Sequence, residues 1–285
     1  MSSKSLLHSR VKNRLMGIPF IAGNHLLLYY NKRLVSEPAL NWQQLSAQKN
    51  TIPTGADLIA WSYNEMYWFI PFLGAFEALP YENGNVNLNA QGTATALDFY
   101  RGLATSGIVA PECHYQCSFD KFVAGEVAYM INGSWALNGF TKALGNDLGI
   151  AQLPQIQGKV MKPYSSVFAL AFPGNSASSE KQDALKQLAM FLQSDQIQRR
   201  IWDEYQFLPA NSSIQKQIQL QSNDNISQFI MQLDNASPLP TDPEMSIIWE
   251  ALVMGFNRHQ GGALNASQAS EYMQYVAEKT RRELY

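Results

Sequence analysis

Charge is scarce in this 285-residue sequence: 15% of the residues are Asp, Glu, Lys or Arg, and the formal net charge is −2. A nucleic-acid surface needs a basic stripe, so that class of partner is excluded. No apolar run reaches the ~18–20 residues of a membrane-spanning helix. The chain has two cysteines, Cys113 and Cys117, with His114 between them. A zinc site takes four ligands and no second Cys/His cluster exists, which leaves a surface loop with two free thiols or one local disulfide. The histidines His8, His25, His114 and His259 are scattered. There is no Gly-x-Ser-x-Gly elbow, phosphate loop or His-Glu-x-x-His helix. Glu65 and Glu126 are the carboxylates a glycosidase would require, but Glu126 sits in a Gly-Glu-Val turn and reads as solvated. Neither an enzyme nor a cofactor is expected. Function must come from a binding surface.

What the chain does have is apolar and aromatic. Hydrophobic residues make up 46% and aromatics 12%, a globular composition, and the length is enough for two lobes of roughly 100–150 residues each. Gly17–Gly23 and His25–Tyr30 are apolar runs of strand length. Asn41-Trp-Gln-Gln44 has capping-box form and opens a helix. Ala56–Tyr63 reads as a strand running into a loop, and Ala96, Phe99, Tyr100 and Leu103 share one helical face. Val127–Ile131 and Gly149–Leu153 are short strands. Ser166–Phe172 is nearly continuous in apolar residues, which predicts a strand buried on both faces. Ser179 caps a helix with Leu185, Leu188, Ala189 and Leu192 inward, and Ser194-Asp195 starts another. Met245, Ile248, Trp249, Leu252, Val253 and Phe256 form an apolar stripe at helical spacing. A last helix from about Ser267 carries Tyr272, Tyr275 and Val276 on one face. Strands separated by helices predict an α/β architecture with mostly parallel sheets.

The stretch Phe122-Val-Ala-Gly-Glu-Val-Ala-Tyr-Met-Ile-Asn-Gly-Ser-Trp135 reads as a helix end, a turn, a buried strand and a second turn that presents an indole. It resembles a signature of the solute-binding proteins of ABC importers, in the carbohydrate-binding branch that includes maltose-binding protein. Further blocks resemble that family in order: Gly17-Ile-Pro-Phe20, Leu28–Lys32, Trp42-Gln-Gln-Leu45, Asn64–Pro71, Leu153-Pro154, Lys162-Pro-Tyr164, Ala189–Ser194, Leu208-Pro-Ala210 and Pro240–Met245. The resemblance implies a type II periplasmic-binding-protein-like fold of two α/β lobes with ligand in the cleft. It implies crossings near Ile21–Leu27 and Val167–Ala171. Residues 1–24 and 167–224 would form lobe one, and 25–166 and 225–285 lobe two.

Relative to the family, an N-terminal segment of about 100 residues is missing, so lobe one is expected to be truncated. The basic stretch Met1–Leu15 has no unbroken apolar core of ~7–15 residues, so no signal peptide is expected in it. The resemblance nevertheless implies a periplasmic or lipid-anchored extracellular protein. Its partners would be an oligosaccharide (maltose-, maltodextrin- or trehalose-like) and the permease subunits of the importer. A monomer is expected. The alternatives are a non-transporting remnant or interaction module, and a binding protein for a non-sugar solute.

Sugars present apolar C–H faces and a rim of hydroxyls, which aromatic planes and side chains that donate and accept hydrogen bonds recognise. Three places offer that mixture. Trp61-Ser-Tyr63 with Glu65-Met-Tyr67-Trp68 is the first, where Glu65 and Tyr67 match ligand-contacting positions of the family. Trp135 is the second; Gly133 would permit a tight turn before it, and the family uses this Trp for stacking. Trp249 is the third, matching a stacking Trp near the start of its helix. Tyr115 and Tyr164 also match cleft positions.

Overall fold

The computed structural model describes residues 6, 9–11, 14–221 and 224–284; His8 and much of the basic N-terminal stretch lie outside them. The strands, in chain order, are β1 (Arg10–Val11), β2 (Arg14–Leu15), β3 (Ile18–Gly23), β4 (Leu26–Asn31), β5 (Asp57–Ala60), β6 (Tyr81–Glu82), β7 (Asn85–Val86), β8 (Val127–Gly133), β9 (Leu148–Ala151), β10 (Tyr164–Leu170), β11 (Leu208–Pro209) and β12 (Ser237–Pro238). The α-helices are α1 (Trp42–Ala47), α2 (Met66–Ala75), α3 (Gln91–Thr105), α4 (Tyr115–Ala124), α5 (Leu137–Leu144), α6 (Gln182–Gln193), α7 (Asp195–Tyr205), α8 (Ser212–Gln221), α9 (Asp224–Asn235), α10 (Met245–Gln260) and α11 (Ala266–Leu284).

Two four-stranded sheets organise these elements, in the orders β11-β3-β10-β12 and β5-β8-β4-β9. The expectation of mostly parallel sheets fails. Only β5–β8 and β10–β12 are parallel within them, while β4 runs antiparallel to both β8 and β9, and β3 antiparallel to β10 and β11. Alternating strands and helices imply parallel pairing only when consecutive strands join one sheet. Here β3 and β4 are joined by a short turn yet belong to different sheets. Gly23 and Asn24 take positive φ values of 108° and 44° to make that crossing, a conformation in which Gly and Asn are the least strained residues.

The second sheet is buried on both faces. Along β4, Leu26, Leu28 and Tyr30 enter one apolar cluster, while Leu27 and Tyr29 enter another on the opposite face, as the two-residue period of a strand dictates. The first cluster is closed by α1, α2, α3, α10 and α11. Gly255 lets α10 and α11 approach, because an added Cβ would lie 2.3 Å from Met273 Cγ. The second cluster is closed by α4, α5 and α9. The capping box forms, one position displaced: Asn41 Oδ1 accepts from the Gln44 amide, and Gln44 Oε1 accepts from Leu40 N–H rather than from that of Asn41.

The first sheet is less covered. The expectation that Ser166–Phe172 is buried on both faces fails: β10 is buried only at Tyr164 and Ser165, before that stretch, and Phe168 is 54% exposed. Ser179 does not cap α6; Lys181 occupies the cap position without a side-chain bond. Leu188, expected inward, is exposed, and only Ala189 of that helix is buried. On α11 the buried face is Ala266, Ala269, Ser270, Met273 and Ala277, whereas Tyr275 is exposed. On α10, Val253 is likewise exposed.

Candidate ligand-binding site

The turn after β8 delivers Trp135 to the end of the second sheet, where α2 and α4 begin. Its indole packs against Tyr67 (centroids 6.2 Å apart) and edge-on against Trp68 (6.1 Å). The indole N–H donates to the Tyr115 hydroxyl at 3.1 Å. Trp68 in turn packs edge-on against Tyr115 at 5.9 Å and anchors itself by donating from Nε1 to the Ile131 carbonyl at 2.9 Å. Tyr67, Trp68, Tyr115 and Trp135 therefore form one aromatic cluster. Trp68 is its buried base, and the other three are half-buried.

Gly133 serves this cluster differently from the expectation. Its φ of −79° and ψ of 162° are open to any residue, so no special turn geometry demands glycine. The demand is spatial. An added Cβ would lie 2.1 Å from the Trp135 ring, so the indole rests on the bare backbone of β8.

The Tyr67 hydroxyl lies 2.5 Å from the Asn24 carbonyl and 3.2 Å from the Tyr164 carbonyl. A phenol has one proton, and both neighbours are acceptors, so that proton is committed to the backbone. Tyr67 thus ties α2 to the β3–β4 crossing and to the start of β10. Burial pushes its ionisation well above the ordinary phenol range. Asn24 adds a second tie, from Nδ2 to Ser166 Oγ at 2.7 Å. Tyr115 differs from Tyr67: its hydroxyl accepts from Trp135, which leaves its own proton for another acceptor.

Tyr164 and Trp249 make a second aromatic pair, edge to face at 6.3 Å, joined to the cluster through the Tyr67–Tyr164 contact. Trp249 is half-buried on α10, and Tyr164 is 1% exposed. Among the described residues the buried Tyr164 hydroxyl has no hydrogen-bond partner, an uncommon and costly state for such a group. Glu65 is exposed at the N-cap position of α2, makes no backbone cap bond, and accepts from Ser62 Oγ at 3.2 Å. It stands two residues before Tyr67 in sequence.

Trp61 and Tyr63 are core. Trp61 Nε1 donates to the Tyr100 hydroxyl at 2.6 Å, which donates onward to the Tyr63 carbonyl at 2.8 Å. Trp68 and Asn24 are the participants that the sequence underplays. A Trp one residue after Tyr67 reads as a sheet cover, and Asn24 signals only a turn. Cys113 and Cys117 form a disulfide, which settles the alternatives left open. They do not form a surface loop: Cys113 is buried, and Cys117 lies in the first turns of α4. Among the described residues no group of His, Cys, Asp and Glu is placed to hold a metal ion. No helix among them is long and apolar enough to cross a membrane.

Comparison with known proteins gives the context. A galactooligosaccharide-binding protein of Bacillus subtilis is 25% identical over 264 residues, covering 86% of this chain and 61% of that protein. A maltotriose-binding protein of Pyrococcus abyssi is 25% identical over 247 residues, covering 84% of this chain and 53% of that protein. The chain thus spans little more than half the length of these relatives. Among solved structures, the maltose/maltodextrin-binding domain MalE from Bdellovibrio bacteriovorus, bound to maltotriose, superposes with a TM-score of 0.85 at 26% identity. That match covers 97% of this chain and 76% of the other. The fold is therefore the type II periplasmic-binding fold. Residues 3–228 match the model of the bacterial extracellular solute-binding proteins, and the chain belongs to that family.

Proposed function

We propose that this chain binds an oligosaccharide as the solute-binding component of a bacterial ABC sugar importer. The observation that carries the reading is the cluster of Tyr67, Trp68, Tyr115 and Trp135 at the crossing between the two sheets. It joins half-buried aromatic faces to a phenol with a proton to give, the combination a sugar ring needs. The printed ligands of the relatives, galactooligosaccharide, maltotriose and maltodextrin, support the same class.

In this reading Trp135 and Trp249 stack on sugar faces, and Tyr115 donates to a sugar hydroxyl. Tyr67 contributes its ring edge, since its proton is committed, and Glu65 accepts from hydroxyls at the rim. Tyr164 holds Trp249 in place, and its hydroxyl gains a partner only when ligand or a shift of α10 brings one. Residues 1–24 and 167–224 form one lobe and residues 25–166 and 225–285 the other; the turn at Gly23-Asn24, where the chain leaves one sheet for the other, supports this division, while Tyr164–Ser166 and Ser237–Pro238 reach from the second range into the first sheet. Closure of the lobes about that crossing would make the form that docks on the permease. The chain acts as a monomer outside the cytoplasm, a location supported by relatives named as lipoproteins.

The test is a titration of intrinsic tryptophan fluorescence with maltose, maltotriose, trehalose and sucrose. Saturable binding of one sugar is expected, and Trp135→Ala should weaken it by about 1–3 kcal/mol, the cost of removing a large aromatic anchor. Gly133→Ala should act in the same direction by pushing a methyl group into the indole. Absence of any response from a chain folded by circular dichroism would reject the reading. Binding that survives Trp135→Ala unchanged would remove Trp135 from the site.

A further inference from the structure

We infer that the Cys113–Cys117 disulfide is a redox-dependent positioning element that holds Tyr115 in the ligand site. Tyr115 lies between the two bonded cysteines and is the first residue of α4. That helix begins without help from its cap residue, because His114 makes no side-chain cap bond. What fixes the first turn is the covalent link from Cys113, buried at 5% exposure, to Cys117. The single proton of the Ser118 hydroxyl is shared between the Cys113 and Trp61 carbonyls, each at 3.3 Å. The start of α4 is thereby anchored to the Trp61 core.

The consequence falls on the aromatic cluster. Tyr115 accepts the Trp135 indole N–H at 3.1 Å, meets Trp68 edge-on at 5.9 Å and stacks on Phe119 at 6.3 Å. An unconstrained first turn frays readily, since its N–H groups have no intrahelical partner. Opening the disulfide lets Tyr115 leave Trp135, which removes both a hydroxyl donor and a wall of the site. The chemistry is a two-electron reduction. A phosphine attacks the half-buried Cys117 sulfur, the S–S bond breaks, and water supplies two protons for the two thiols. The phosphine leaves as its oxide.

This inference rests on the sugar-binding reading for its effect on affinity, but not for its effect on Trp135. Two readouts therefore separate the ideas. In the first, emission and acrylamide quenching are recorded without sugar, before and after treatment with a phosphine. Reduction should shift emission in the native chain, and the shift should shrink markedly in Trp135→Phe. In the second, maltotriose is titrated against both redox forms, with an expected rise in Kd of about 5–10-fold on reduction, equivalent to about 1–1.4 kcal/mol. The double variant Cys113→Ser, Cys117→Ser should match the reduced chain and ignore the phosphine. In Tyr115→Ala the two redox forms should bind alike, an outcome that a general loss of stability would not produce.

Reduction that leaves Trp135 emission and maltotriose affinity unchanged in a chain still folded by circular dichroism overturns the inference. So does a redox difference in affinity that persists at full size in Tyr115→Ala. A Trp135 shift with no binding of any sugar upholds the positioning role and rejects the sugar reading instead.

Discussion

β9 and β10 each run along the outer side of their own sheet, and the chain finishes the two edges in different ways. Against β9 it lays α9, whose Asn225, Gln228, Gln232 and Asn235 fall on one helical face. Asn225 accepts from Ile150 N–H at 3.0 Å and donates to the Leu148 carbonyl at 2.9 Å. Gln232 accepts from Leu153 N–H at 2.8 Å. Gln228 and Asn235 bracket the Gln152 amide at 3.1 and 2.8 Å. Side-chain amides thus stand in for a neighbouring strand. Along β10, β12 pairs only with Tyr164 and Ser165. From Ser166 to Leu170, among the described residues, the strand partner is β3 on one side alone. That segment carries no charge and no proline, two devices by which natural edges discourage strand addition. Side chains of α9 finish one edge; among the described residues nothing equivalent lines the other.

His25 lies where the two sheets meet, and its titration should loosen that junction most. Its ring is fully buried, and Nε2 lies 3.1 Å from the Phe229 carbonyl of α9. A carbonyl only accepts, so Nε2 carries the proton, and Nδ1 is a buried acceptor without a partner among the described residues. Burial lowers the pKa from 6.5 to about 4, against a smaller opposite effect of the Phe229 bond. Below 6.5 the unfolded chain takes up a proton that the folded chain refuses. Stability is therefore complete above 6.5 and is lost as pH falls to about 4, by about 3 kcal/mol in total. Denaturant midpoints at several pH values should show this slope. His25→Gln, which keeps an N–H for Phe229, should remove it; an equal slope in both proteins would assign the acid sensitivity to other groups.

Breaking the finished edge should have the next largest effect. Gln232 is 1% exposed, so Gln232→Leu strands the Leu153 N–H in an apolar setting. The expected loss is about 1–3 kcal/mol, the cost of a buried unpaired donor. Gln228→Ala removes a bond between two partly exposed amides and should cost about 0.5 kcal/mol or less. Urea unfolding of the two variants decides the matter. Comparable losses would mean that the amide row acts through helix packing and not by satisfying the edge of β9.

The difference between the two edges also explains what could be read before the structure. β4 and β8 were legible because an apolar run of strand length buried on both faces has few alternatives. The Asn41–Gln44 cap was legible because its chemistry is local. The amide row of α9 was not, since polar residues at helical spacing look like a solvated face. Leu188, Val253, Tyr275 and Ser166–Leu170 misled for the converse reason: apolar spacing marks a face without saying whether anything covers it. In the candidate site, pattern presents Trp135 at a strand end and Tyr67 in an aromatic loop, while resemblance to a family gives both their roles and alone supplies Tyr115. That route missed the placement of Trp68 beneath them and the closeness of the Gly133 backbone to the indole. Both are consequences of packing between segments far apart in the chain.

The open edge of β10 offers the smallest change in stability and a clear change in behaviour. Phe168 is 54% exposed on that strand, so Phe168→Lys removes no core contact and should alter the unfolding free energy by about 0.5 kcal/mol or less. A charge on a strand with one unpaired side should still oppose pairing with another copy, because the incoming chain would have to desolvate it. Light scattering against protein concentration should then rise less steeply for the variant than for the native chain. Gln228→Ala on the finished edge should scatter as the native chain does. An unchanged concentration dependence in Phe168→Lys would show that self-association, where it occurs, does not use β10, and would remove the consequence drawn from that side of the strand while leaving the geometry of the edge as it is.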